Sequence, residues 1–212
     1  MIAANFDRKR ADRRGERSAP APSPCPADDF ERDYAALQRG AAFFGAGLHA
    51  PDRPALREAC GGRLRARVIG NGLRELDRIL NLFIDSALER RGQPACPDQR
   101  NTANKLNAYR ATLGLPNPDD ARMRALGRSR ECLFHCGGRV IRGDRAGEPF
   151  LTLGWPETPG RNAPLRRVAI GQELDVQQAD LADVGVFYAR LGFELGAPLF
   201  EQPAELPLRR YG

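Results

Sequence analysis

Apolar residues recur along this chain at helical spacing in five stretches and in two short strand-like runs. The strongest stretch places Ile69, Leu73, Leu76, Leu80, Phe83 and Ala87 at alternating steps of four and three, and Ile79, Ile84 and Leu88 widen it to a full core face. That spacing predicts a long amphipathic helix over about residues 63–91, ended by Gly92 and Pro94. Gly70 and Gly72 weaken its first turns by about 1 kcal/mol each relative to Ala. This end is therefore expected to fray, kink or lie against another backbone.

An earlier helix begins at Asp28-Asp29 and carries Phe30, Tyr34 and Leu37, then Phe43, Phe44 and Leu48 before Pro51. A shorter one starts at Asn101 or Thr102, carries Leu106, Tyr109 and Leu113, and stops at Gly114 and Pro116. Asn117-Pro-Asp-Asp120 reads as the next helix start, with two acids at the positive end of the dipole. Met123, Leu126, Leu133 and Phe134 follow it to Gly137-Gly138. Four helices in sequence predict an antiparallel bundle. The texture then changes. Residues 149–155 and 165–170 read as two strands around a Pro/Gly/Asn loop, and a last helix is expected over about 178–192. The organisation expected is a disordered leader (1–27), a helical bundle (28–145) and a C-terminal hairpin-plus-helix extension (146–212).

The chain has 212 residues and a net charge of +6, with 33 Lys plus Arg against 27 Asp plus Glu. All but Lys9 and Lys105 of the basic residues are Arg, whose planar fork suits phosphate. A polyanion such as RNA is thus a permitted partner, and a solvated Arg-rich surface is the plainer alternative. No apolar run reaches membrane-spanning length and the charged N-terminus does not read as a secretory signal, so a cytoplasmic protein with no membrane association is expected. Five scattered cysteines, Cys25, Cys60, Cys96, Cys132 and Cys136, argue for reduced thiols.

One segment concentrates residues able to do chemistry. Residues 127–138 read Gly-Arg-Ser-Arg-Glu-Cys-Leu-Phe-His-Cys-Gly-Gly, so Arg130 and Arg128 precede His135 at x4 and x6 spacing. On an ideal helix Arg128 lies about 20° from His135, whereas Arg130 falls within the Met123, Leu126, Leu133 stripe. A guanidinium there requires a cleft or a buried acid. Cys132, His135 and Cys136 resemble part of a metal site, but the fourth ligand would have to come from Cys25, Cys60, Cys96 or His49, and buried packing cysteines are the simpler reading. No metal or cofactor is expected. Glu75 and Asp77, beside Arg74 and Arg78, read as exposed helix pairs.

A bundle of amphipathic helices, a polar residue directly after Arg130, the Leu133-Phe134 pair and His135 at a helix end together resemble the HEPN domains. Their usual motif is Arg, a polar residue that is commonly Asn, three residues, then His; here Glu131 stands at the polar position. The resemblance covers about residues 60–145. It implies a homodimeric helical bundle and metal-independent RNA cleavage, of the kind seen in toxin or phage-defence systems, with an antitoxin-like protein as a further partner. It assigns His135 to acid-base chemistry and Arg130, with Arg128 as the rival, to the phosphate. Arg124, Arg139, Arg74 and Arg78 are the accompanying RNA-binding candidates, and Trp155 and Phe150 either seal the hairpin against the bundle or dock a partner. Two alternatives stay open: a non-catalytic binding module, and a fold in which His135 only caps its helix while the arginines form salt bridges.

Overall fold

The computed structural model describes residues 26–47, 62–95, 101–158 and 163–200. Five helices and two strands follow one another: α1 (Pro26–Gly45), α2 (Gly62–Arg90), α3 (Thr102–Thr112), α4 (Asp120–Cys136), β1 (Phe150–Pro156), β2 (Leu165–Ala169) and α5 (Gln178–Phe200). The chain is therefore mostly helical with one small antiparallel sheet. The leader lies almost wholly outside the described residues, as do His49, Cys25, Cys60 and Cys96. Among the described residues no helix is long and apolar enough to cross a membrane.

α2 is the central element and packs on all four other helices. Its expected stripe is buried throughout, from Ile69 through Leu73, Leu76, Leu80 and Phe83 to Ala87. Burial of each such large side chain is worth about 1.5–3 kcal/mol. At one end, Phe30 and Tyr34 of α1, Phe83 of α2 and Phe200 of α5 pack with ring centroids 4.9–5.8 Å apart.

α5 is where sequence expectation and structure differ most. It runs to Phe200 rather than stopping near residue 192, and its buried residues belong to the same core as those of α1 and α2. Glycines within it are packing residues. A Cβ at Gly185 would stand 2.6 Å from the Ala41 carbonyl and 2.9 Å from the Gly45 Cα, so α1 and α5 meet backbone to backbone there.

α3 is capped by Asn101, whose side chain accepts from the Ala103 and Asn104 amides. It is tied to α2 by Asn81 Nδ2 donating to Thr102 Oγ1 at 2.7 Å and by buried Lys105 2.5 Å from Asp85. α4 begins at Asp120, later than expected. Asp119 spends its carboxylate on Arg110 (2.9 Å) and Arg190 (2.6 Å), both of which also reach Glu194. The hairpin packs against α4. The Gly154 amide donates to Ser129 Oγ at 3.1 Å, and Arg122 Nε donates to the Gly154 carbonyl at 3.0 Å. Strand register pairs Phe150 with Ala169, Leu151 with Val168 and Thr152 with Arg167. Trp155 is fully buried and seals this joint, so it is not available to dock a partner. Phe150 instead stays partly exposed beneath the Arg167 guanidinium.

Candidate functional site

The helical period sorts the side chains of α4 into two groups. Met123, Leu126 and Leu133 are buried, while Arg124, Arg128, Glu131 and His135 form a row on the outer side, within about 60° of one another. The helix ends at Gly137, at φ 61°, with the terminal amide bonded to the Cys132 carbonyl. The cap is thus a left-handed glycine. His135 sits just before it, exposed over 63% of its side chain, with Nε2 3.4 Å from Glu131 Oε2.

Arg130 points inward, as its register requires, and the buried acid it needs is Asp77. Arg130 Nη1 donates to Asp77 Oδ2 at 2.5 Å, and the Tyr188 hydroxyl donates to Asp77 Oδ1 at 2.6 Å. The other Arg130 nitrogen, Nη2, donates to Glu131 Oε1 at 2.9 Å. A continuous chain therefore runs from fully buried Tyr188 through Asp77, Arg130 and Glu131 to exposed His135. The two oxygens of Glu131 join the two motif residues.

This corrects the reading of Asp77 as an exposed pair. It is only 6% exposed, and the Arg78 guanidinium goes to Glu75, at 2.8 Å. A local signal was present: Asp77 stands four residues after Leu73 and three before Leu80, within the buried register. Close approach of the two helices makes the pairing possible. A Cβ at Gly70 would lie 3.0 Å from the Phe134 nitrogen, so this glycine lies against another backbone as its position in the first turns suggested.

Electrostatics follow from this burial. Desolvation raises the Asp77 carboxyl above its ordinary value despite the lowering effect of Tyr188 and Arg130. Burial alone disfavours the Arg130 charge, but the Asp77 and Glu131 carboxylates outweigh it and hold the guanidinium charged. Burial and the adjacent Asp77 carry the Tyr188 phenol well above its usual value, so it acts as a neutral donor. Burial, with Cys136 nearby, pushes the Cys132 thiol up to about 12, which removes it as a nucleophile near neutral pH.

Arg128 is held differently. Its Nε lies 2.8 Å from Asp144 Oδ1, and Asp144 in turn accepts from the Thr152 amide and hydroxyl at 2.8 and 2.5 Å. Arg124 reaches Asp120 at 2.9 Å and Asn104 Oδ1 at 3.0 Å. Two clefts flank the row. One, about 280 Å³, is lined by Asp77, Thr102, Arg124, Arg128, Arg130 and Glu131. The other, about 260 Å³, is lined by Arg128, Glu131, His135, Cys136 and Arg142 among others. Arg128 and Glu131 form the wall between them. Arg74 and Arg78 are exposed on α2 and Arg139 is exposed just beyond α4.

The structure thus places Arg124, Arg128 and His135 in one row of α4, with Arg130 turned inward and joined to His135 through Glu131. Asp77, Tyr188, Asp144 and Arg142 complete their surroundings and were not singled out as site residues from sequence. Among the described residues no group of three His, Cys, Asp or Glu side chains is arranged to hold a metal ion. No family model, curated protein or solved structure matches this chain.

Proposed function

We propose that this protein is an endoribonuclease of the HEPN kind, an antiparallel helical bundle acting as a homodimer and cutting RNA without a metal ion. The observation that supports this reading most is the convergence of Arg130 and His135 on the two oxygens of Glu131, beside clefts lined with arginine. RNA carries its own nucleophile. A neutral imidazole takes the proton from a 2′-hydroxyl, whose oxygen attacks the adjacent phosphorus. Arginine N–H groups stabilise the charge that grows on the phosphorane oxygens, and a protonated imidazole returns a proton to the departing 5′-oxygen. The products are a 2′,3′-cyclic phosphate and a 5′-hydroxyl. In the homodimer, His135 of each copy supplies one of the two proton-transfer groups.

Glu131 has a defined part in this scheme. A lone carboxylate beside a scissile phosphate repels it. Paired with Arg130 its charge is offset by the guanidinium, while its second oxygen orients the imidazole. Asp77, positioned by Tyr188, holds Arg130 in place from within the core.

One observation favours a non-catalytic alternative, a module that binds RNA or an antitoxin-like protein through the same face. Arg128 and Arg130 are both already paired with carboxylates, and such pairs serve a purely structural role equally well. The experiment that separates the readings is incubation of the purified protein with RNA in excess EDTA, with His135→Ala, Arg130→Ala and Arg128→Ala variants beside it and product ends analysed. Ribonuclease action predicts cyclic phosphate ends that persist under chelation and vanish with His135→Ala. Failure of a folded wild-type dimer to cut any of several RNAs overturns it in favour of binding.

A further inference from the structure

The first half of α2 carries four arginines and no acid over residues 62–74: Arg63, Arg65, Arg67 and Arg74. Three of them stand within the first turns, at the positive end of the helix dipole, where a cation is disfavoured. Arg65 turns away and donates to the Val176 carbonyl at 2.8 Å. The others share a side. At the helical period, Arg63, Arg67, Arg74 and Arg78 fall within about 60° of one another, in a row about 22 Å long.

That side of α2 is the one bordering α4. It lies next to Gly70 and Asp77, which meet Phe134 and Arg130 respectively. The stem of Arg63 packs against Gly137, at the end of the helix that carries His135. Toward its other end the row passes Asp77, the α2 residue that lines the cleft containing Arg124, Arg128 and Arg130. Among the described residues Arg63, Arg67 and Arg74 make no ion pair, whereas Arg78 is joined to Glu75. Arg130, Arg128 and Arg124 all have carboxylate partners. Arg63, Arg67 and Arg74 thus carry charges that no described carboxylate offsets, as do Arg139 and Arg142 beyond α4.

We infer that the row Arg63, Arg67, Arg74 is the backbone-binding track of this protein for single-stranded RNA, leading the strand alongside α4 into the Arg124–Arg130 cleft. The inference rests on the reading of RNA as the ligand but not on its being cut. Arginines along a helix neutralise successive phosphates and release counterions without reading sequence. A single strand fits because the cleft, at about 280 Å³, takes one splayed nucleotide and excludes a duplex. An anionic membrane fits less well. A helix that lies in a bilayer surface needs a broad apolar face for insertion, and beside this row α2 exposes only Leu64 and Leu82 as large apolar residues.

The test uses the full chain carrying His135→Ala as parent, so that binding is read without turnover, and compares it with the same chain carrying Arg63→Gln, Arg67→Gln and Arg74→Gln. Anisotropy of a labelled 12-nucleotide single-stranded RNA is followed against salt. Each lost phosphate contact lowers the log-log salt slope by about 0.7. The expected result is a slope smaller by about 2 and an affinity down about 100-fold at 0.1 M salt, with an unchanged circular dichroism spectrum and melting temperature. An affinity within twofold of the parent overturns the track. So does a parent that binds no RNA, or one that binds duplex as tightly as single strand. Loss of binding to phosphatidylserine vesicles with RNA affinity unchanged assigns the row to lipid instead and equally overturns it. Cleavage by the wild-type chain is scored separately: a track that behaves as expected in a protein that cuts nothing removes the ribonuclease reading alone, and the converse pattern removes the track alone.

Discussion

Two polar networks cross this core, and they end differently. At the junction of α3, α4 and α5, Arg110, Asp119, Arg190 and Glu194 pair with one another, and Arg110 also donates to Asn117 Oδ1 at 3.0 Å. Each guanidinium meets both carboxylates, so the four ion pairs form a closed ring. At the junction of α2, α4 and α5, Tyr188, Asp77, Arg130 and Glu131 also pair in sequence, but the chain opens at the surface on an exposed imidazole. A closed ring of ion pairs fixes helix geometry. An open chain leaves its last member free to exchange protons with something outside. Fixing the inner residues of the open chain by burial is what holds that last group in place.

The comparison yields unequal responses to mutation. The largest belongs to the open end. His135→Ala is expected to reduce RNA cleavage by about 10²- to 10⁴-fold while moving stability by less than about 0.5 kcal/mol, as read by single-turnover cleavage and urea denaturation. The closed network reverses this pattern. Asp119→Ala takes one of two carboxylate partners from both Arg110 and Arg190 and is expected to cost about 1–3 kcal/mol of folding stability, with cleavage per folded molecule unchanged. A drop in turnover there would erase the distinction between the two networks.

Asp77→Asn sits between these cases. It removes one charge-assisted bond to Arg130, and the cleavage rate is expected to fall roughly ten- to a hundredfold with little change in KM. It also alters the pH dependence of stability. Burial raises the Asp77 carboxyl above its ordinary value of 3.8, so the folded chain holds that proton to higher pH than the unfolded chain does. The contribution is fully present below the unfolded value and is lost as pH rises through the folded one. Urea denaturation across the acidic range is expected to show that loss in the wild type and a flatter curve in the Asn variant.

Much of the fold was legible because its signal is local. The stripe of α2, the glycine stop of α4 and the two strands each follow from spacing within a single segment. The length of α5 was not, because what Gly192 and Gly196 do there depends on side chains of α1 and α2 that lie far away in sequence. The site divides in the same way. The register of Arg130 demanded a buried acid, but nothing local identified Asp77, which is 53 residues away in sequence. Asp77 reads as a surface charge because it stands beside Arg78, although its position relative to Leu73 and Leu80 places it on the buried side. The tie of Arg128 to Asp144 depends on how the loop before β1 folds back, which no periodicity encodes.

The central claim is that Arg130 and His135 work as one site. A double-mutant cycle on single-turnover RNA cleavage in EDTA tests it most directly, with Arg130→Ala, His135→Ala and the two combined. A shared site predicts that the double variant is scarcely worse than the poorer single one, because each change disables the same step. Losses that multiply would show two residues acting independently and would contradict the account.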